Sequence, residues 1–147
     1  MSKSTISSVF PDVNVWLALT SPDHEHFQSA WHWYSTLPEG TGLFFCRVTQ
    51  LGLLRLLTTR AAMGPRTLSQ AEAWRAYDCW LEAGGAEFVA ETASLEATFR
   101  SNTNSSQASP KEWANAYLAA FSFTIGSPLV TFDRVLAAKT KGSILLG

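Results

Sequence analysis

Two aspartates follow apolar runs near opposite ends of the chain. Asp12 comes directly after residues 8–11, and Asp133 comes directly after residues 130–132. If both runs are buried parallel strands, their carboxyl ends meet at one edge of a sheet, where two carboxylates can hold a cation. The pattern therefore indicates a metal-dependent enzyme. Aspartate is also a preferred N-cap residue, and a helical pattern follows both acids, so helix capping is the alternative interpretation for each.

Length and composition narrow the class of protein. The chain has 147 residues, which predicts a single domain over 1–147 with a core of its own. Its 46% of hydrophobic residues and its six tryptophans predict either a subunit or partner interface or an aromatic-rich core. The net charge of −1 gives no general attraction to nucleic acid, which argues against a DNA coat protein. Any contact with nucleic acid must come from local Arg and Lys.

The cysteines and the N-terminal residues indicate in which cellular compartment the protein is expected. Cys46 and Cys79 lie in apolar stretches without metal-binding spacing, which predicts two buried, reduced thiols. No basic segment followed by a long apolar stretch opens the chain, and no run reaches the roughly 20 apolar residues that span a bilayer. We therefore expect a soluble cytoplasmic protein.

Strands are predicted to alternate with helices along the whole chain. Apolar runs predict strands over 5–10, 43–46, 87–90, 129–131 and 143–146. Helical periodicity predicts helices over 13–20, 21–37, 48–59, 94–100, 111–123 and 134–139. A further helix runs from a capping box at Ser69 to the glycines at 84–85, and its predicted buried face is Trp74, Tyr77 and Leu81. This alternation predicts an α/β fold, a three-layer α/β/α sandwich with a mainly parallel central sheet.

Several short motifs together resemble the PIN-domain nucleases, specifically the VapC-type toxins of prokaryotic toxin–antitoxin pairs. The motifs lie at 12–19, 46–50, 55–58, 113–121 and 131–133, with His26, Ala30 and Trp33 in the second helix. They span nearly the whole chain and are specific in combination, although each of them alone is weak.

The resemblance implies a PIN-like fold and RNA cleavage that depends on Mg²⁺ or Mn²⁺. A hard divalent cation prefers oxygen ligands and can activate a water molecule for attack on a phosphate. Asp12 and Asp133 match two acids of the family and are the expected metal ligands. Asn14 and Thr131 are expected to support them by hydrogen bonds. The alternatives for these two are a capping residue in a first helical turn and an ordinary strand threonine.

Gln50 stands where many members of the family carry Glu, although some VapC-like relatives have Gln, and Asn115 stands where most members carry Asp. The motif over 113–116 reads Trp-Ala-Asn-Ala in place of Trp-Thr-Asp-Ala. An amide oxygen can bind a metal but carries no charge, so the four expected catalytic positions retain only the charges of Asp12 and Asp133. We therefore expect weak metal affinity, at most one well-occupied cation, and reduced or absent nuclease activity. Asn115 is either a natural divergence or an inactivating substitution.

Two arginines flank Gln50 in its predicted helix. Arg47 and Arg55 are expected to bind the phosphates of RNA, with surface ion pairing as the alternative. Glu112 could supply a replacement carboxylate one turn before Asn115, although a capping box with Ser109 is the favoured interpretation. The acid and histidine cluster over 23–26 is interpreted as a helix start and not as a metal site.

Three functions are compared. The first is an endoribonuclease toxin that acts on RNA, is held in check by a cognate VapB-like antitoxin, and pairs as a homodimer like its relatives. The second is a catalytically degenerate PIN domain that binds RNA or antitoxin without cutting. The third, a haloacid-dehalogenase-like phosphatase with Asp12 as nucleophile, is disfavoured because Asn14 replaces the second acid of its Asp-x-Asp motif.

Overall fold

Five short parallel strands form one sheet in the computed structural model, which describes residues 7–147. The strands are β1 Ser8–Pro11, β2 Gly42–Phe45, β3 Ala86–Phe88, β4 Leu129–Thr131 and β5 Ile144–Leu145. Their order across the sheet is β3-β2-β1-β4-β5, and each neighbouring pair is parallel. The prediction of a mainly parallel sheet is confirmed. Of the strand predicted over 5–10, residues 5 and 6 lie outside the described part of the chain.

Helices cover both faces of this sheet. They are α1 Val13–Thr20, α2 Phe27–Ser35, α3 Arg47–Leu57, α4 Arg60–Met63, α5 Gln70–Ala83, α6 Leu95–Asn102, α7 Trp113–Ile125 and α8 Arg134–Lys139. Successive strand residues point to opposite faces, so Val9 packs with α1, α3 and α5 while Phe10 packs with α6, α7 and α8. The fold is therefore the predicted α/β/α sandwich. None of these helices is both long enough and apolar enough to cross a bilayer.

Aromatic side chains fill the core on the α1 face. The indole of Trp16 is fully buried and stacks on Phe45, with ring centroids 4.0 Å apart, and it meets Trp80 edge-on at 5.3 Å. Trp80 Nε1 donates a hydrogen bond to Thr20 Oγ1 at 2.9 Å. The predicted aromatic-rich core is present. Three other tryptophans are exposed, namely Trp31, Trp74 and Trp113.

One of the two capping boxes forms and the other does not. Ser69 N donates to Glu72 Oε1 at 2.8 Å, and Glu72 N donates to Ser69 Oγ at 3.1 Å, so α5 begins as predicted. The box at Ser109 is wrong: this residue has a φ of +41°, and α7 begins two residues later than predicted. Glu112 instead accepts a hydrogen bond from Lys139 Nζ at 2.7 Å. The Glu112 side chain therefore takes part in a tertiary ion pair and not in a local cap.

The buried face of α5 differs in part from its prediction. Tyr77 and Trp80 are buried, whereas Trp74 and Leu81 are exposed. Both stripes have helical spacing and share Tyr77, so periodicity alone favours neither of them. Cys79 lies on the solvent side of α5 and is exposed, so the prediction of a buried thiol is wrong for this residue.

Helix α2 begins later than its predicted start at residue 21. Residues 21–26 form successive turns, in which His24 N donates to Ser21 O and Phe27 N donates to His24 O, both at 3.0 Å. His24 Nδ1 also accepts a hydrogen bond from His26 N at 3.0 Å. These local bonds satisfy backbone groups without a helix, so the predicted start at 21 is wrong by six residues.

Helices α1 and α3 touch where a glycine leaves room for a valine. A Cβ built on Gly52 would lie 2.7 Å from Val13 Cγ2. We expect Gly52→Ala to lower the free energy of unfolding by ~1 kcal/mol, because overpacking of ~2 kcal/mol exceeds the ~1 kcal/mol gain in helix propensity. Chemical denaturation measures the change.

A double-mutant cycle isolates this contact. Val13→Ala removes both Cγ atoms that Gly52 faces, so in that background Gly52→Ala should stabilise the protein instead. Destabilisation of equal size in both backgrounds would place the cause elsewhere in α3.

Candidate active site at the carboxyl edge of the sheet

The two predicted aspartates lie at the same edge of the sheet. Asp12 directly follows β1, Asp133 follows the end of β4 by two residues, and these strands are neighbours. The buried hydroxyl of Thr131 joins the acids: Thr131 Oγ1 donates to Asp12 Oδ2 at 3.0 Å and accepts from Asp133 N at 3.0 Å. One side chain of β4 thus fixes a carboxylate oxygen of one acid and the backbone of the other.

Both acids also cap helices. Asp12 Oδ1 accepts from Val13 N at 2.7 Å, and Asp133 Oδ1 accepts from Val135 N at 2.9 Å and from Leu136 N at 3.1 Å. The capping interpretation is therefore confirmed for each of them. Capping holds each carboxylate in a fixed orientation and does not exclude a second role, since each oxygen has more than one lone pair.

Burial sets the electrostatics of this pair. Asp12 is only 8% exposed, and burial raises its pKa, while the hydrogen bonds from Thr131 and Val13 act in the opposite direction. The negative charge of Asp133 raises the pKa of Asp12 further. A bound cation would relieve both unfavourable effects, because it offsets the repulsion and stabilises the ionised acid.

Stability should depend on pH through Asp12. Above the ordinary pKa of 3.8 and below its raised pKa, the folded protein binds more protons than the unfolded chain, so the contribution of Asp12 falls as the pH rises. We therefore expect the unfolding free energy of Asp12→Asn, relative to the unchanged chain, to rise with pH through this window. Denaturation in EDTA between about pH 4 and pH 7 measures it.

An exposed acid supplies the control for this pH dependence. Asp78→Asn, measured over the same pH range, makes the same chemical change on the solvent side of α5. A relative unfolding free energy for Asp12→Asn that is flat or falls with pH would contradict the raised pKa.

Gln50 is buried at the start of α3 and bonded to an arginine. It is 6% exposed, and Arg47 Nη1 donates to its Oε1 at 2.7 Å. Arginine only donates hydrogen bonds, so the amide oxygen faces Arg47 and the amide N–H₂ faces away. The same guanidinium lies 4.5 Å from the ring centroid of Phe88. Gln50 therefore offers donors to its other surroundings, and this orientation is unfavourable for a metal ligand.

Asn115 lies on α7, one turn before the buried Leu118. It borders a small cavity of about 190 Å³ together with Asn102, Glu112 and Lys139. Because Lys139 already pairs with Glu112, that carboxylate is not free to replace the missing acid. Asn115 thus brings no charge to a cavity wall whose charged residues are one ion pair, Glu112 with Lys139.

The remaining predicted site residues are on the surface. Asn14 and Arg55 are exposed, and among residues 7–147 Asn14 has no side-chain hydrogen bond and Arg55 no ion pair. In the cluster over 23–26, His26 stacks on Phe132 with centroids 4.3 Å apart. Across the described part of the chain, no three His, Cys, Asp or Glu side chains are placed to hold a metal.

The donor set fits one hard cation better than two. Asp12 and Asp133 provide carboxylate oxygens held by caps and by Thr131, and an ion of the Mg²⁺ type takes one or two carboxylates and keeps several waters. Two negative charges balance a single divalent ion. These residues therefore fit the cofactor that the resemblance implies, with Gln50 outside the ligand set.

Glu91 and Tyr117 are a pair at this edge that sequence reasoning missed. Tyr117 Oη donates to Glu91 Oε2 at 2.6 Å, and the two residues are 26 positions apart. Burial and the bond to Glu91 raise the pKa of Tyr117, so its hydroxyl stays protonated. No local motif links residues at such a separation, so only the packing of α7 against the segment after β3 reveals them.

Comparison with known proteins finds a ribonuclease of the VapC family as a relative in sequence. The chain is 41% identical over 126 residues to Ribonuclease VapC41 of Mycobacterium tuberculosis, an alignment that covers 83% of this chain and 86% of the relative. The same match is found in a second strain of that organism. No protein-family model matches the chain.

Solved structures show the same fold at low sequence identity. VapC20 of Mycobacterium tuberculosis, a Sarcin-Ricin loop cleaving toxin, superposes with a TM-score of 0.65 at 15% identity, over 95% of this chain and 99% of that one. VapBC2 of Rickettsia felis, solved with a DNA fragment from its promoter, gives 0.64 at 10% identity, over 94% and 96%. With 41% identity to VapC41 over most of both sequences, this chain belongs to the VapC family, as its motifs predict.

Proposed function

We propose that the chain is an endoribonuclease of VapC type that depends on Mg²⁺ or Mn²⁺. The observation that carries the proposal is the pair of aspartates joined through the buried Thr131 hydroxyl at the carboxyl edge of the sheet. The related VapC41 is named a ribonuclease, and VapC20 is a toxin that cleaves the Sarcin-Ricin loop, which supports RNA as the substrate class.

The residues of the site have separate tasks in this proposal. Asp12 and Asp133 hold the cation, and Thr131 keeps Asp12 oriented. A bound divalent ion supplies charge stabilisation at the scissile phosphate and lowers the pKa of an attacking water. Arg47 and the amide N–H₂ of Gln50 are donors suited to phosphate oxygens, and the exposed Arg55 extends this basic surface along α3.

Removal of the metal tests the proposal. Structured RNA incubated with the purified protein should be cut in Mg²⁺ or Mn²⁺, and excess EDTA should reduce the rate to that of a blank. Asp133→Asn, prepared in the same way, controls for contaminating nucleases. Cleavage that persists in EDTA, or that is equal in Asp133→Asn, would overturn the assignment of the site.

A second candidate function is supported by the two amides. Gln50 is committed to Arg47, and Asn115 carries no charge, so the site has half of the carboxylates that most members of the family place there. A PIN domain of this kind could bind RNA or antitoxin without cutting. Full-length RNA retained on the protein in Mn²⁺, without new ends, would favour this function.

We also propose a VapB-like antitoxin and a homodimeric state as partners. The fold resembles that of VapBC2, and Val48 and Leu51 lie exposed along α3 next to the Gln50 position. Apolar side chains in this arrangement favour a protein contact. Size-exclusion chromatography with light scattering measures the subunit number directly.

A further inference from the structure

A groove lies between α6 and α7. Its volume is about 650 Å³, within the range of roughly 300–1,000 Å³ that is usual for ligand pockets. The residues that matter for its chemistry are Glu91, Glu96, Phe99, Arg100, Trp113 and Tyr117.

One wall of this groove consists of aromatic side chains that pack against one another. Phe99 meets Trp113 at a centroid distance of 6.1 Å and an interplanar angle of 70°, and it meets Tyr117 at 5.7 Å and 88°. Trp113 is nevertheless 54% exposed. A tryptophan held in one orientation with part of its ring open to solvent is a surface on which a flat ring can stack.

The other feature is a single carboxylate in a fixed position. Glu91 accepts the hydrogen bond from Tyr117 Oη at 2.6 Å, which leaves its second oxygen free to accept. Glu96 is paired with Arg100 at 2.8 Å, whereas in residues 7–147 no Lys, Arg or His lies within 4.0 Å of Glu91. The groove therefore repels phosphate and attracts N–H donors.

The groove lies at the edge of the sheet that carries the aspartates. Glu91 follows the end of β3 by three residues. The ring of Tyr117 lies 6.1 Å from that of Phe121, which lies 4.9 Å from Phe10, two residues before Asp12. A strand of RNA that crosses the site and runs on along this edge of the sheet can therefore bring a nucleotide a few positions away into the groove.

We propose that this groove is a subsite for one amino-bearing nucleobase of the RNA, stacked on Trp113 and donating an exocyclic N–H to Glu91. The inference rests on the proposed ribonuclease function and adds a base preference to it. Adenine, cytosine and guanine carry an amino group that a carboxylate accepts. Uracil has carbonyl oxygens on both sides of its only N–H, and these are repelled by the second carboxylate oxygen.

Binding to short oligonucleotides tests the subsite apart from catalysis. The probes are labelled 2′-O-methyl phosphorothioate hexanucleotides, all uracil or with a single adenine, cytosine or guanine, and affinity is measured by fluorescence anisotropy in EDTA. We expect the amino-bearing probes to bind at least fivefold more tightly than the uracil probe. Trp113→Ala should weaken their binding about tenfold, as expected for loss of a stacking partner.

Two variants sharpen the result. Trp74→Ala removes a tryptophan that is 47% exposed on α5, outside the groove, and should leave the affinities unchanged. Glu91→Gln retains an acceptor for Tyr117 and adds a donor for a carbonyl, so discrimination against uracil should fall below twofold. Circular dichroism verifies that each variant is folded.

The outcomes separate the subsite from the proposed function. Equal affinity for all probes, unchanged binding in Trp113→Ala, or displacement of the probes by an arginine-rich hexapeptide at the same concentration would overturn the subsite. In a separate assay in Mn²⁺, RNA cleavage without any base preference would overturn the subsite alone. Base preference without cleavage would overturn the ribonuclease alone.

Discussion

Replacing Asp12 by asparagine is expected to lower kcat/KM for RNA cleavage by about a thousandfold, equivalent to ~4 kcal/mol of transition-state stabilisation. Asparagine is similar in size and is also a good N-cap, so α1 should still begin after residue 12. The substitution removes one of the two negative charges that would hold the proposed cation and leaves only that of Asp133. Single-turnover cleavage of a structured RNA in Mg²⁺ measures the loss.

The control for this effect makes the same chemical change elsewhere. Asp78→Asn, on the exposed side of α5, should cleave at the unchanged rate. Circular dichroism and thermal unfolding of both variants verify that the fold is intact. A loss smaller than tenfold for Asp12→Asn would mean that the reaction does not depend on this carboxylate.

Asn115→Asp is expected to raise the affinity for Mn²⁺ and the rate of RNA cleavage. The change places a third carboxylate in the first turn of α7, where the helix dipole also favours a negative charge. We expect affinity for Mn²⁺ to rise about tenfold, or ~1.4 kcal/mol, and the rate of cleavage at limiting metal to rise by a similar factor. Isothermal titration with Mn²⁺ measures the affinity without reference to activity.

Asn102→Asp is the matched control for this gain. Asn102 borders the same 190 Å³ cavity, but it lies at the end of α6 and matches no acid of the family. The Asn102→Asp variant should bind Mn²⁺ with the affinity of the unchanged chain. If Asn115→Asp binds Mn²⁺ no better than the native chain, residue 115 lies outside the ligand set, and the two-carboxylate site is all that this chain offers a metal.

Much of the architecture was predictable because it rests on local patterns. The alternation of apolar runs and helical periodicity predicts the five strands and the helix directly after Asp12, and α1 and α8 have the predicted bounds. The Ser69 capping box forms because both of its partners lie within one turn. In these cases the decisive interactions join residues close in sequence.

The errors arise where a distant residue competes with a local one. Glu112 binds Lys139, 27 positions away, in preference to its own capping box, and Trp80 is buried where Leu81 also had the right spacing. In the same way, no motif reveals that Tyr117 positions Glu91, which lies 26 residues before it. Such pairs depend on how helices pack, which sequence periodicity does not specify.

The hydrogen bond between Thr131 and Asp12 spans 119 positions and has a consequence for biosynthesis. During translation, β1 is made first, but its neighbour β4 is complete only when residue 131 has been added. The paired carboxylates therefore cannot come together until the whole segment from β1 to β4 has been made. Products that are terminated before residue 133 lack the assembled centre and the chemistry that depends on it.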